Sequence, residues 1–181
     1  MTLCVLPMTA FAKDKSYNPM FAPGAQNSIS FHVGQSTGSG TLLKLIQPGL
    51  WEFSSQTIFM LQYSQPMEIF RLPSRMSINL ATNQAYRSND GMSFTTLGIS
   101  WDVALLNWHG FYLGLGIGPY MRDERDECVE SRLVFGEKFF IGKNVTDNWR
   151  IELFTLHFSN GNFTPKNDGF NYVGVAVNYS V

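Results

Sequence analysis

Eight stretches of this chain alternate apolar and polar side chains with a period of two. That period puts neighbouring side chains on opposite faces, as in a strand with one wet and one apolar face. The first stretch sets Ile29, Phe31 and Val33 against Ser28, Ser30, His32 and Gly34. Residues 50–63 carry Trp51, Phe53, Phe59, Leu61 and Tyr63 in one parity, and 74–86 alternate Met76, Ile78 and Leu80 with Arg75, Ser77 and Asn79. Residues 92–105 keep Leu97, Ile99, Trp101 and Val103 in phase. In 111–121, Phe111, Leu113, Leu115 and Ile117 alternate with Tyr112, Gly114, Gly116 and Gly118. Glycine at every second position suits a narrow interior in which large inward side chains would collide. Residues 131–141 place Leu133, Phe135, Phe139 and Ile141 on one face, and Glu137 interrupts that face. Residues 149–159 set Trp149, Ile151 and Leu153 against Arg150 and Glu152. Residues 170–181 set Val173, Val175, Val177, Tyr179 and Val181 against Gly174, Ala176, Asn178 and Ser180.

Eight is an even strand number, and it suits a barrel that side chains can fill. Two closed arrangements share this alternation. A lipocalin-like soluble barrel turns the apolar face inward, whereas a membrane barrel turns it to lipid and fills its lumen with the polar face. Composition and the N-terminus favour the second. Charged residues make up 15% of the 181 residues and apolar ones 44%, with 14% aromatic; an average chain is about 25% charged. Residues 1–12 are apolar and end Ala10-Phe11-Ala12 before Lys13-Asp14-Lys15, which reads as a secretory signal whose start is truncated. Cys4 leaves with that segment, so Cys128 has no intrachain partner. A polar linker, 13–26, then leads into one domain, 27–181. The expectation is an all-β, eight-stranded antiparallel transmembrane β-barrel of the bacterial outer membrane. A net charge of −1 offers no basic excess for nucleic acid. Nothing in the chain has metal-ligand spacing, and no cofactor is implied. The oligomeric state, a homo-oligomer included, stays open.

With both ends in the periplasm, the outer loops fall at 35–49, 87–91, 122–130 and 160–169, and the inner turns at 106–110 and 143–148. The stretch 64–73 is longer than an inner turn should be. Loop 122–130 holds Arg122-Asp123-Glu124-Arg125-Asp126-Glu127, a run suited to water or to contact with sugar phosphates and bridging cations. His32 falls in the lumen and His109 in an inner turn.

Candidate chemistry gathers at the outward end of the seventh strand. His157 and Ser159 share a face with Trp149, Ile151 and Leu153, the lipid side. Asn171 opens the eighth strand in the parity of Val173 and Val175, on the same side. A His that can take the Ser proton makes a nucleophile, and a third group can orient its ring. The spacing alone fits equally a set of interfacial polar residues bonded to one another or to water.

The stretch Leu156-His157-Phe158-Ser159-Asn160-Gly161, followed by Pro165-Lys166-Asn167-Asp168-Gly169-Phe170-Asn171, resembles the active-site hairpin of the lipid A 3-O-deacylase (PagL-type) family. Tyr63-Ser64-Gln65-Pro66 and Phe70-Arg71-Leu72-Pro73-Ser74-Arg75 resemble it more loosely. The resemblance implies an eight-stranded outer-membrane barrel that hydrolyses the 3-O-linked acyl chain of lipid A without a metal. Its substrate would be lipopolysaccharide, met in the outer leaflet by a Ser-His-acid triad on the lipid-facing surface. It further implies Ser159 as nucleophile, His157 as general base, and Asn160, Gly161 and Asn167 as oxyanion or loop support. Two positions depart from the family pattern: Asn162 stands where a glycine is expected, and Asn171 where the acid, a Glu, is expected. Phe158, Phe163 and Phe170 are candidates for holding acyl chains or for anchoring at the interface. A catalytically silent structural or lipopolysaccharide-binding barrel is the alternative that Asn171 leaves open.

Overall fold

The alternating stretches close into a ring. The computed structural model describes residues 25–85, 93–125 and 128–181. The expected signal segment, most of the linker and the expected loop 87–91 lie outside the described residues, as do Asp126 and Glu127. The strands are β1 (Ser28–Ser36), β2 (Gln56–Ile69), β3 (Leu72–Ala85), β4 (Phe94–Trp108), β5 (Phe111–Arg122), β6 (Leu133–Asn144), β7 (Trp149–Ser159) and β8 (Phe170–Ser180). Each pairs antiparallel with its sequence neighbour, and β1 pairs with β8 to complete the barrel.

The apolar parity faces outward. Phe31, Leu61, Ile78, Leu97, Ile117, Ile141, Leu153 and Val175 are all exposed on the outer wall. The inward parity is polar and aromatic, and it fills the lumen. Arg75 lies at its centre, its Nε 2.6 Å from Asp102 and its two terminal nitrogens each 2.9 Å from a carboxylate oxygen of Glu152. Lys138 shares Asp102 at 2.6 Å, and the Tyr112 hydroxyl donates to Glu152 at 2.9 Å. These charges sit out of water and are matched by opposite charges, which is the condition for keeping them there. Glycines make room for the largest inward rings. A Cβ at Gly98 would overlap the Tyr120 ring, and one at Gly142 the Tyr112 ring.

Several boundaries differ from the alternation. The second strand begins at Gln56, so Trp51 and Phe53 are not part of it. They belong to a long β1–β2 segment with two 3-10 turns, Leu42–Ile46 and Pro48–Leu50. Pro48 and Gly49 break the extended chain there, because proline fixes φ and glycine adds no strand preference. The stretch 64–73 is no long turn: β2 and β3 continue pairing to Ile69 and Leu72. Only Phe70 and Arg71 connect them, at φ 51° and 65°, the left-handed pair that a tight hairpin turn requires. The alternation fades there, with Pro66 and Pro73 inside paired strand, so a turn was the simpler reading. The first outer loop runs over 37–55 rather than 35–49, and the third over 123–132 rather than 122–130. His109 and Gly110 form the β4–β5 turn, and 145–148 the β6–β7 turn. In β4 the register shifts between Ala104 and Leu106, which leaves Leu105 and Leu106 both exposed.

Candidate active site

β7 and β8 form one hairpin, and its register decides which side chains meet. His157 is the cross-strand partner of Asn171, both in the outward parity. Lower on β7, the outward residues Trp149, Ile151 and Leu153 are exposed, whereas Thr155, His157 and Ser159 are buried. The β1–β2 segment accounts for the change, since its first 3-10 turn lies against β7 and β8. Before that turn the chain is clamped to the start of β8. Thr37 N–H donates to Asn171 O at 2.8 Å, and Gly40 N–H to Asp168 O at 2.6 Å.

This clamp orients Asn171. Its Nδ2 donates to the carbonyls of Gly38 and Gly40 at 3.2 and 3.3 Å. With the amide nitrogen committed to two carbonyls, Oδ1 must be the atom that faces the histidine, 2.9 Å from His157 Nδ1. An amide oxygen only accepts, so Nδ1 carries the proton and Nε2 is left as the base. The ring lies over Gly169. A Cβ there would run into Cε1 and come within 3.2 Å of Nε2. Gly169 also adopts φ +68°, a conformation that suits glycine. The Cε1–Nε2 edge of the ring thus lies against Gly169, on the same face of β7 as Ser159. Among the described residues no hydrogen bond joins Ser159 to His157; contacts of this kind commonly tighten only when substrate binds.

The loop after Ser159 is tied together by three asparagines. Asn160 N–H donates to Asn167 Oδ1 at 2.7 Å, and Asn160 Nδ2 donates to Lys166 O at 2.8 Å and to the Thr164 hydroxyl. Asn162 N–H donates to Asn160 Oδ1 at 2.8 Å, and Asn167 Nδ2 donates to Asn162 Oδ1 at 2.9 Å. Asn162, where a glycine was expected, takes φ 63° and joins this network. Asn160 has both its donors engaged inside the loop. The Gly161 N–H, two residues after Ser159, has no hydrogen-bond partner among the described residues. The third outer loop braces the hairpin, with Val129 bridging to Asn167 and Asp168 N–H donating to Cys128 O at 2.8 Å. Asp168 is exposed, and among the described residues its side chain makes no bond to His157.

The aromatic expectations need correction. Phe158 and Phe170 occupy the inward parity and are buried in the lumen. Phe158 packs edge-on to Tyr120 with ring centroids 5.1 Å apart, and Phe170 packs beside Phe94. Neither can hold a chain outside the barrel. Phe163 is 74% exposed and packs at 5.8 Å against Phe135, the cross-strand partner of Ser159. Phe135 was legible only as one apolar residue of its strand; pairing with Ser159 is what makes it part of the site.

A family model, the lipid A 3-O-deacylase (PagL), matches residues 61–180. The chain belongs to this PagL family. Membership carries lipid A as the substrate class and the outer membrane as the location. The match runs through the β7–β8 hairpin that holds His157, Ser159 and Asn171. Among solved structures, the chain is similar to the outer membrane enzyme PagL, at 14% identity with a TM-score of 0.63. That likeness covers 85% of this chain and 99% of the other. Neisserial surface protein A (NspA) is similar at 12% identity with a TM-score of 0.55, over 86% of this chain and 96% of that one. At such identities the likeness speaks for the PagL fold, an all-β barrel of eight strands. A comparison with curated proteins gave no match. Among the described residues, no group of three or more His, Cys, Asp and Glu could hold a metal ion.

Proposed function

We propose that this PagL-family barrel removes the 3-O-linked acyl chain of lipid A with Ser159 as nucleophile and His157 as general base. The observation that carries the reading is the 2.9 Å contact of His157 Nδ1 with Asn171 Oδ1 on the outer wall, beside Ser159. Polar side chains on the apolar wall of a barrel are unfavourable unless bonded or used, and this set leaves Nε2 unprotonated on the strand face that also carries Ser159.

His157 Nε2 takes the Ser159 proton as Oγ attacks the ester carbonyl. The Gly161 N–H, free of other partners, donates to the oxygen that becomes negative. The tetrahedral intermediate collapses, and the sugar oxygen leaves with the proton from His157. Water then releases the acyl chain from Ser159 by the same route in reverse order. Asn171 keeps the ring in its working tautomer. Asn160 and Asn167 shape the loop that presents Gly161.

The substrate reaches the site sideways through the outer leaflet. Tight turns at one end of the barrel and long segments at the other support that orientation. The exposed Leu42, Leu43, Ile46 and Phe163 surround the site with surface suited to acyl chains.

The test is acyl release from lipid A by purified protein. Ser159→Ala should keep a folded, heat-modifiable barrel and lose activity by a factor on the order of 10⁶. Equal release by parent and variant would exclude this chemistry. One observation favours a second reading, a lipopolysaccharide-binding barrel without turnover: the acid position holds the uncharged Asn171. No release by either protein would select it.

A further inference from the structure

Resting on that reading of Ser159 and His157, we infer that Glu137 supplies the negative charge that the Ser-His pair lacks at Asn171. Glu137 is the residue that breaks the apolar face of β6. Its Cα is the register partner of His157, whose other partner is Asn171. Three polar side chains thus stand in one row across β6, β7 and β8, all on the outer wall, with the histidine in the middle. Directly opposed residues on one face of an antiparallel pair have Cβ atoms about 4.5–5.5 Å apart. A glutamate side chain is long enough to swing its carboxylate toward the ring from that distance, although no ion pair joins the two in this structure among the described residues.

No other side chain engages Glu137 among the described residues, and its carboxylate accepts from its own backbone N–H. Its Oε2 is buried and has no hydrogen-bond partner among the described residues. Lys138, next to it in the chain, points to the other face and is used by Asp102. An unpaired carboxyl group on the apolar wall of a barrel is unfavourable and calls for a role.

The role follows from what Asn171 cannot do. An amide oxygen orients the ring and fixes its tautomer, but it carries no full charge. When Nε2 takes the Ser159 proton, the ring becomes a cation in a site shielded from water. A carboxylate within about 4–6 Å favours that cation. It does so without taking the proton, which His157 passes on to the departing sugar oxygen. Orientation and charge, which a single acid performs in a Ser-His-acid triad, are here divided between the two strands that flank β7. Glu137 acts through His157 and is a positioning residue.

The experiment measures kcat and KM for acyl release from lipid A in detergent micelles. Loss of the acidic partner cost about 10⁴ in a serine protease, where the working tautomer was lost along with the charge. Here Asn171 keeps the working tautomer, so Glu137→Gln should lower kcat by a smaller factor, roughly 10–100-fold, with KM unchanged. Glu137→Asp should recover part of the loss. Adding Asn171→Glu to Glu137→Gln should restore turnover, because the charge returns from the other flank. Heat-modifiability confirms that each variant folds. Parental kcat in Glu137→Gln would overturn the proposal. A change confined to KM would also overturn it, making Glu137 a substrate contact. So would a kcat loss that Asn171→Glu leaves in place. Ser159→Ala separates the levels: if it stays active, the Ser-His reading fails, whatever Glu137 does.

Discussion

At the scale of single residues, parity reached part of the candidate site and register the rest. His157, Ser159 and Asn171 were legible because a period of two assigns each to a face, and one face held all three. Glu137 showed only as an anomaly in β6, since the alternation of one strand says nothing about what stands beside it on the next. The same limit hid Phe135. Phe158 and Phe170 went the other way. They looked like acyl-chain contacts from their place in the motif, yet their parity turns them into the lumen. Gly169 was visible in the motif, but its reason is spatial. A side chain there meets the His157 ring and the Gly40 carbonyl, and φ +68° disfavours any L side chain. The left-handed region costs a non-glycine residue roughly 1–2 kcal/mol, which a barrel of this size should tolerate. A catalytic group displaced by about 1 Å can lose about 10²-fold in rate. Gly169→Ala is therefore expected to fold and to lose on the order of 10–100-fold in kcat. Parental kcat would show that the ring does not depend on this close approach.

At the scale of elements, the β7–β8 hairpin and the β1–β2 segment work together. The alternation located the hairpin because its strands are regular. It could not show that 37–55 folds down the outer wall, because 3-10 turns have no period-two signature and their packing is tertiary. The hairpin loop depends on Asn167, which receives Asn160 N–H and donates to Asn162 Oδ1. Removing it leaves the Asn160 N–H without its partner and loosens the turn that carries Gly161. Loss of one donor from an oxyanion site costs about 10²–10³ in kcat. Because Asn167→Ala only loosens the donor, a smaller fall of about tenfold is expected, with heat-modifiability unchanged. A loss of folding instead would mean that the loop supports the barrel as well as the site.

For the whole molecule, strand number and closure were readable from alternation, whereas the sidedness of the walls needed composition and the N-terminal segment as well. The ends of β2 and β3 were not, because the pattern weakens where the strands run on beyond 64 and prolines enter them. The proposed orientation places Ser159 at the cell surface. In a cysteine-free background, a single cysteine at Glu124 should react with a membrane-impermeant reagent on intact cells, and one at Asn148 should not. Both positions are exposed, at opposite ends of the barrel. The reverse pattern would remove Ser159 from the outer leaflet and with it the proposed route for lipid A.

Arg75 and its partners fill the lumen, and His157 and Ser159 lie on the outer face, so in the proposed reading lipid A comes to them along that wall. Under the proposed reading the enzyme does not sample its substrate from a volume. It meets lipid A as a fraction of the molecules in the surrounding sheet, and turnover below saturation follows that two-dimensional fraction. Diluting the sheet with inert amphiphile slows it even when the amount of lipid A in the tube is constant. The membrane's own composition then becomes a rate control, set by whatever other lipids crowd the barrel's perimeter.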